Sequence, residues 1–446
     1  MGKVIEKHFS TDPFEALPES LLERALQHLT FKDALRITEV SRKWYEATAV
    51  MDSFVNRIKI VTRCGNGARG NTRKEICSIE NETLMTSSII ATSLRKYDTL
   101  KIRRCSVCIN NIHQLLMLHQ KWTKVEIVQS QFWNLPLLRH FLHMISENVE
   151  TLILDDVSFD AIYSNTLNPI VWSFPRMTSL KLDRFPSGSI RHAFVNVHTL
   201  KDLCVVYHSK DSTPSSALAE LLNANPLLEK LTLEGKIACD LMLHLKRRNL
   251  VGSFAFRLTE LTINFGRKIK GYFDWSETFA EFLTSQGENL KVLKLKNSLG
   301  VEVLRATFAL PEVTHLTLGA DLPTHYVGNW LEFKFPPNKN IQHLELIDII
   351  KSNFATVFVS TTPNITSLHV NIMDNYLIKH VSETNKNLQH LSGEHSTVGA
   401  PTILQNDLIP SLKTLKFLKF TWTAMHKIRE MDEADRNNFQ KLYFAL

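Results

Sequence analysis

Apolar residues recur along most of the chain in one short phrase, apolar-x-x-apolar-x-apolar. It reads Tyr97, Leu100, Ile102, then Trp122, Val125, Ile127, then Val149, Leu152, Leu154 and Met177, Leu180, Leu182. It goes on with Leu203, Leu231, Leu261, Leu293, Leu316, Leu344, Leu368 and Leu391 as central residues, Gly393 taking the last apolar place of the Leu391 copy. Further copies stand at the ends as Val55, Ile58, Ile60 and as Leu412, Leu415, Phe417, which makes fourteen. From Leu100 to Leu415 the central residues lie 23 to 32 positions apart. The gap from Ile58 to Leu100 is 42, room for an insertion or one unrecognised repeat.

Alternation within each phrase predicts a short strand with one buried face, because successive side chains on a strand point to opposite sides. The stretches between carry helical spacing, as in Leu218-Leu221-Leu222 and Phe279-Phe282-Leu283. No such unit can bury its own apolar face, so neighbours must stack. The predicted fold class is α/β, a solenoid with a parallel sheet on its concave side and helices outside. The period is close to that of leucine-rich repeats, roughly 20–29 residues. The buried Asn or Cys common after the strand in such repeats is degraded, with Cys105, Ser130, Val157, His208, Asp321 and Met373 at that position. Beyond Thr421 the phrase stops, and Ala424, Ile428, Met431, Ala434, Phe439 and Leu442 predict helices closing that end.

The first fifty residues follow another pattern. Pro18 can open a helix, and Leu21, Leu22, Leu26 and Leu29 then fall on one helical face. Thr30 followed by Asp33 resembles a capping box and restarts a helix through Leu35 and Val40. Ser41 can cap a third helix carrying Trp44 and Tyr45. So small a core needs help to stand alone, so this unit should keep an apolar face for a partner.

Leu17-Pro18, the leucine spacing and Ser41-Arg42-Lys43-Trp44 together resemble an F-box. With the repeats, the chain resembles the F-box/leucine-rich-repeat proteins, substrate-recognition subunits of SCF-type ubiquitin ligases. The resemblance implies that Leu17, Pro18, Leu21, Leu22, Leu26, Leu29, Leu35 and Val40 supply the contact with the Skp adaptor, and through it with cullin and RING subunits. Trp44 is assigned to the module's own packing. The expected organisation is an extension over 1–13, an F-box over 14–50, a solenoid over 51–420 with a loop insertion near 63–75, and a helical cap over 421–446.

Composition changes little in this picture. Hydrophobic content of 44% and charged content of 22% suit a folded protein. The N-terminus lacks the apolar core of a secretory signal, and no apolar run approaches the ~18 residues of a membrane span. Six scattered cysteines do not form a disulfide framework, so an intracellular setting, cytoplasm or nucleus, is expected. A formal charge of +7 permits an acidic partner without demanding one, and neither membrane nor nucleic acid is expected as a partner.

Motifs for chemistry are thin. Gly65-Asn-Gly67-Ala-Arg-Gly70 matches G-x-G-x-x-G, but the next predicted strand ends in Arg103-Arg104 where a ribose-binding acid would be needed. It reads as a surface insertion. Cys105 and Cys108 form C-x-x-C with His113 and His119 downstream, but packing explains Cys105. With no hydrolase, P-loop or metalloprotease motif, the chain is read as non-catalytic and cofactor-free.

Binding residues are sought instead at the exposed strand positions. These are basic early (Arg57, Lys59, Lys101, Arg103, Lys124) and acidic in the middle (Asp155, Asp183, Asp202, Glu234, Glu260). Lys294 and Lys296 follow, and then His315, His343, His369 and His390 in successive repeats, with Glu345 and Glu394 beside them. The bland reading is ordinary surface polarity. The sharper one is a track at His315, His343, Glu345, His369 and His390 that binds a protein substrate. Two functional readings stand: a ubiquitin-ligase substrate adaptor, and an interaction scaffold that does not promote degradation.

Overall fold

The computed structural model describes residues 59–63, 98–104, 106–107, 121–159, 174–185, 194, 196–207, 215–265, 275–297, 300–319, 334–347, 352–373, 375–396 and 414–420, with Pro18, Ser20, Leu21, Arg24, Ala25, His28 and Arg36 near the N-terminus. The chain divides into two compact units, Met1–Thr199 and Leu200–Leu446.

In the first unit, strands β1 (Lys59–Arg63), β2 (Thr99–Arg103), β4 (Lys124–Val128), β6 (Thr151–Asp155) and β8 (Ser179–Asp183) pair in that order, all parallel. Each of β2, β4, β6 and β8 alternates half-exposed and buried residues, with the repeat leucines and isoleucines on the buried face. The residue after each of these strands, Arg104, Gln129, Asp156 and Arg184, has φ of 49–55°. Left-handed backbone costs a non-glycine residue roughly 1–2 kcal/mol. Offsetting it, the N–H groups of Arg104, Gln129 and Asp156 donate to the last carbonyl of the next strand at 2.7–2.9 Å. This turn leads into a second parallel ladder, β3 (Ser106–Val107), β5 (Gln131–Phe132) and β7 (Ser158–Phe159). Helix α1 (Leu135–Ile145) follows β5, started by Asn134, whose Oδ1 accepts from the Leu137 N–H at 2.9 Å.

The second unit repeats the arrangement with regular helices. Its parallel strands are β9 (Asp202–Tyr207), β10 (Lys230–Gly235), β11 (Glu260–Asn264), β12 (Val292–Lys296), β13 (His315–Gly319), β14 (His343–Ile347), β15 (Ser367–Met373), β16 (His390–Ser396) and β17 (Phe417–Phe420). Helices α2 (Ser215–Asn223), α3 (Lys236–Arg248), α4 (Ser276–Gln286), α5 (Val301–Ala309), α6 (Ser352–Thr361) and α7 (Asn375–Thr384) lie between them in sequence. Each packs beside a neighbouring helix, and α3 and α6 also meet strands of the sheet. Burial of Leu231, Leu261, Leu293, Leu316, Leu344 and Leu368 under this layer is essentially complete. At roughly 1.5–3 kcal/mol per buried leucine, that stripe is the main favourable term for stacking the repeats.

Register is held at the strand entries. One carbonyl accepts two successive N–H groups of the next repeat: Glu229 from Thr259 and Glu260, Thr259 from Lys291 and Val292, Lys291 from Thr314 and His315, Thr314 from Gln342 and His343. The architecture is the α/β repeat fold of leucine-rich-repeat type.

Two repeat assignments shift. Ile60, not Ile58, pairs with Leu100, so the first copy lies two residues further on. Positions 58, 60 and 62 alternate in the sequence, so a two-residue slide leaves the pattern of the phrase unchanged. At the other end Leu418, not Leu415, pairs with Leu391. Leu415, Leu418 and Phe420 spell the same phrase as Leu412, Leu415 and Phe417, so pattern alone cannot choose. The predicted insertion gives up Arg63 to β1, and its remainder, the 421–446 cap, the glycine motif and the C-x-x-C pair lie outside the described residues.

Candidate functional site

The strand face opposite the helices carries the polar positions, and its charges are mostly matched within each unit. In the first unit Lys101 and Lys124 converge on the Glu126 carboxylate at 2.5 and 3.0 Å. Burial opposes ionisation there, but hydrogen bonds from Lys101 and Lys124 and their charges hold the carboxyl below its usual range. Arg184 reaches Asp155, Asp183 and Asp156 at 3.1, 3.3 and 3.5 Å. The early basic zone and the acidic residues at 155 and 183 are therefore partly self-neutralised. The corrected register places Lys59 beside Thr99, Val61 beside Lys101 and Arg63 beside Arg103. Arg57 lies outside the described residues.

In the second unit Lys230 pairs with Glu260 across β10 and β11 at 2.6 Å. Beyond it the character changes. Lys294 and Lys296 on β12 carry no ion pair among the described residues, and Lys294 is exposed.

His315 and His343 occupy the same register position on β13 and β14. Their imidazoles stack with centroids 4.1 Å apart and planes 13° from parallel. The Thr314 hydroxyl bonds His315 Nδ1 at 2.9 Å, which orients that ring. Burial, then the charges that His315 and His390 would carry, lower the His343 pKa below the ordinary imidazole value. The two stacked rings form a flat surface on the strand face.

The other predicted track residues fall on two rows. His343 faces Ser367, and Ser367 faces His390, so a serine separates the third histidine from the stacked pair. His369 sits one row along, where Thr317, Glu345, His369 and Ser392 are successive partners. That row is itself linked: the Thr317 hydroxyl donates to Glu345 at 2.8 Å, and His369 Nδ1 meets the Ser392 hydroxyl at 2.8 Å. The structure thus brings His315 and His343 into direct contact, with His369 and His390 on the strands beyond.

A buried polar ladder was missed because it was sought after the strands. It runs along the helix ends, three residues before the first apolar residue of a repeat. Asn225 accepts from the Leu200 N–H at 2.9 Å and donates to the Leu221 carbonyl at 2.7 Å. Asn338 donates to the carbonyls of Leu310 and Phe308, and Asn385 to that of Thr362. The readable signal is Asn225-Pro, Thr362-Pro and two Asn-Lys-Asn runs, at 338–340 and 385–387.

Of the predicted adaptor contacts, Pro18 and Leu21 are described, and both are exposed; Leu21 is 49% accessible. The Leu21 N–H donates to the Pro18 carbonyl at 3.0 Å, and Ser20, Leu21, Arg24 and Ala25 are helical, so Pro18 stands at the start of this helix. Leu17, Leu22, Leu26, Leu29, Leu35, Val40 and Trp44 lie outside the described residues.

Residues 14–55 match the family model of the F-box domain. F-box domains bind Skp-type adaptors, so the exposed Pro18 and Leu21 belong to a module made for protein contact. Among solved structures, the chain is similar to an internalin from Listeria monocytogenes, with 16% identity, a TM-score of 0.37, and coverage of 84% of this chain and 89% of that one. Comparison with curated proteins gave no significant match.

No helix among the described residues is long and apolar enough to cross a membrane, and none of their His, Cys, Asp and Glu side chains group as a metal site. Cys239 is buried, and burial followed by the Asp240 charge pushes its thiol up to about 12, so it is a packing residue and not a nucleophile.

Proposed function

We propose that this chain is a substrate-recognition subunit of an SCF-type ubiquitin ligase. The F-box holds a Skp-type adaptor, and through it a cullin and a RING subunit, in the cytoplasm or nucleus. The open strand face of the repeats holds a protein substrate, with His315, His343, Glu345, His369 and His390 among the contacts. The observation that carries this reading is the joining of an F-box, residues 14–55, to repeats whose strands keep one polar face uncovered by their own helices. The chain's part is to bring substrate close to the ubiquitin-charged enzyme, and proximity of this kind needs no catalytic residue of its own.

The test is co-purification. Tagged full-length chain should recover a Skp adaptor and a cullin together, and Leu17→Ala with Pro18→Ala should lose both while keeping substrate. Recovery of the adaptor without cullin would favour a scaffold that does not promote ubiquitin transfer. Recovery of neither would overturn the reading.

A further inference from the structure

We propose that Lys294, Lys296, His315 and His343 form a binding strip for an acidic segment of the protein partner, and that the strip takes up protons as the segment binds. This deepens the substrate-recognition reading above and rests on it.

The first support is charge. On the open faces Lys101, Lys124 and Lys230 are spent on Glu126 and Glu260, whereas Lys294 and Lys296 have no carboxylate partner among the described residues. They sit on β12, immediately beside β13, with Lys294 opposite Thr317 and Lys296 opposite Gly319. Gly319 is itself buried, and the Lys296 stem packs over it, with Cγ 3.5 Å from where a Cβ would lie. Neighbouring strands lie ~4.8 Å apart, so the two lysines and the two histidines fall within the span of a few residues of extended peptide.

The second support is the stacked pair. No hydrogen bond holds the His343 nitrogens among the described residues, and the 4.1 Å stack brings a second imidazole against its face. The charged or titratable groups facing His343 are His315 on β13, Glu345 on its own strand, His369 on β15 and His390 on β16, with Lys294 and Lys296 beyond β13. Glu345 is the single carboxylate among these described side chains, and it is already engaged by the Thr317 hydroxyl. In the free protein, protonating both rings would place like charges in contact. A carboxylate laid across the strip removes that penalty, so binding and proton uptake reinforce each other. By linkage, affinity must then rise as pH falls.

The experiment uses purified full-length chain and a fluorescein-labelled ten-residue glutamate peptide, read by anisotropy at low salt. A ten-residue glutamine peptide and a single-stranded oligonucleotide serve as comparisons. We expect the glutamate peptide to bind, the glutamine peptide not to, and affinity to rise roughly three- to tenfold from pH ~7.5 to ~6.0. Lys294→Gln with Lys296→Gln should weaken binding at both pH values. His315→Gln with His343→Gln should abolish the rise. Arg247→Gln with Arg248→Gln, two exposed cations at the end of α3, should change nothing.

Equal loss in that arginine variant would mean diffuse attraction to a basic protein and would overturn the proposal. So would a pH response that survives loss of both histidines, or an oligonucleotide that binds these residues more tightly than the peptide. Skp-adaptor binding, measured in the same preparations, separates failure of the strip from failure of the broader reading. The adaptor should bind every variant equally.

Discussion

Asn385 donates its side-chain amide to the carbonyl of Thr362, 23 residues earlier, at 3.0 Å, with both residues fully buried. The bond ties the end of α7 to the end of α6, and the Thr384 hydroxyl completes the Asn385 carbonyl at 2.7 Å. Removing the amide leaves a buried carbonyl unsatisfied, at roughly 1–3 kcal/mol. Asn385→Ala should therefore lower the urea midpoint clearly. Thr414→Ala, which removes an exposed residue's hydroxyl from the carbonyls of Lys386 and Leu388, should cost less than Asn385→Ala. Hydrogen exchange should locate the damage in β15 and β16, because repeats depend on their neighbours. Uniform loss of protection across Leu200–Leu446 would contradict a nearest-neighbour array.

Leu293 lies in β12 with no exposed surface. Leu293→Asp buries a carboxylate without a partner, at a cost of several kcal/mol. Limited proteolysis of this variant should cut first within residues 265–320. Adaptor binding through the F-box should persist. Simultaneous loss of both would show that the modules do not fold independently.

Acid should weaken the repeats through His343 and His380. Burial lowers both imidazoles, the nearby His315 and His390 add to the effect on His343, and Glu383 partly opposes it at His380. A base with a lowered native pKa binds protons more readily when unfolded. Its stabilising contribution is complete above the unfolded value of ~6.5 and is lost as pH falls through the lowered native value. His343→Gln with His380→Gln should lose less thermal stability than the parent between pH ~7.5 and ~5.5. Parallel stability curves would show that these histidines are not the groups responsible.

Much of this was legible because a strand buries alternate residues and every repeat must do so alike. Leu231, Leu261 and Leu293 announce themselves as one stripe, and His315 beside His343 follows from counting along successive phrases. Three things were not legible. Period two cannot distinguish Ile58 from Ile60, nor the overlapping phrases around Leu415, since sliding within them keeps apolar residues inward. The stacking of two imidazoles depends on side-chain rotamers, which no spacing encodes. The Asn225, Asn338 and Asn385 ladder serves helix ends and not strands, so a search confined to the strand phrase passes over it.

The most direct test of the central claim is the affinity of a purified Skp adaptor for the full chain, measured by calorimetry. Leu21 is half exposed at the start of the F-box helix, and burying such a side chain against a partner is worth roughly 1.5–3 kcal/mol when complete. Leu21→Ala combined with Pro18→Ala should weaken adaptor binding by about tenfold or more, since each ~1.4 kcal/mol is a factor of ten. The stability of Leu200–Leu446 should not change. A parent chain that does not bind the adaptor, or a double variant that binds it as tightly as the parent, would contradict the assignment.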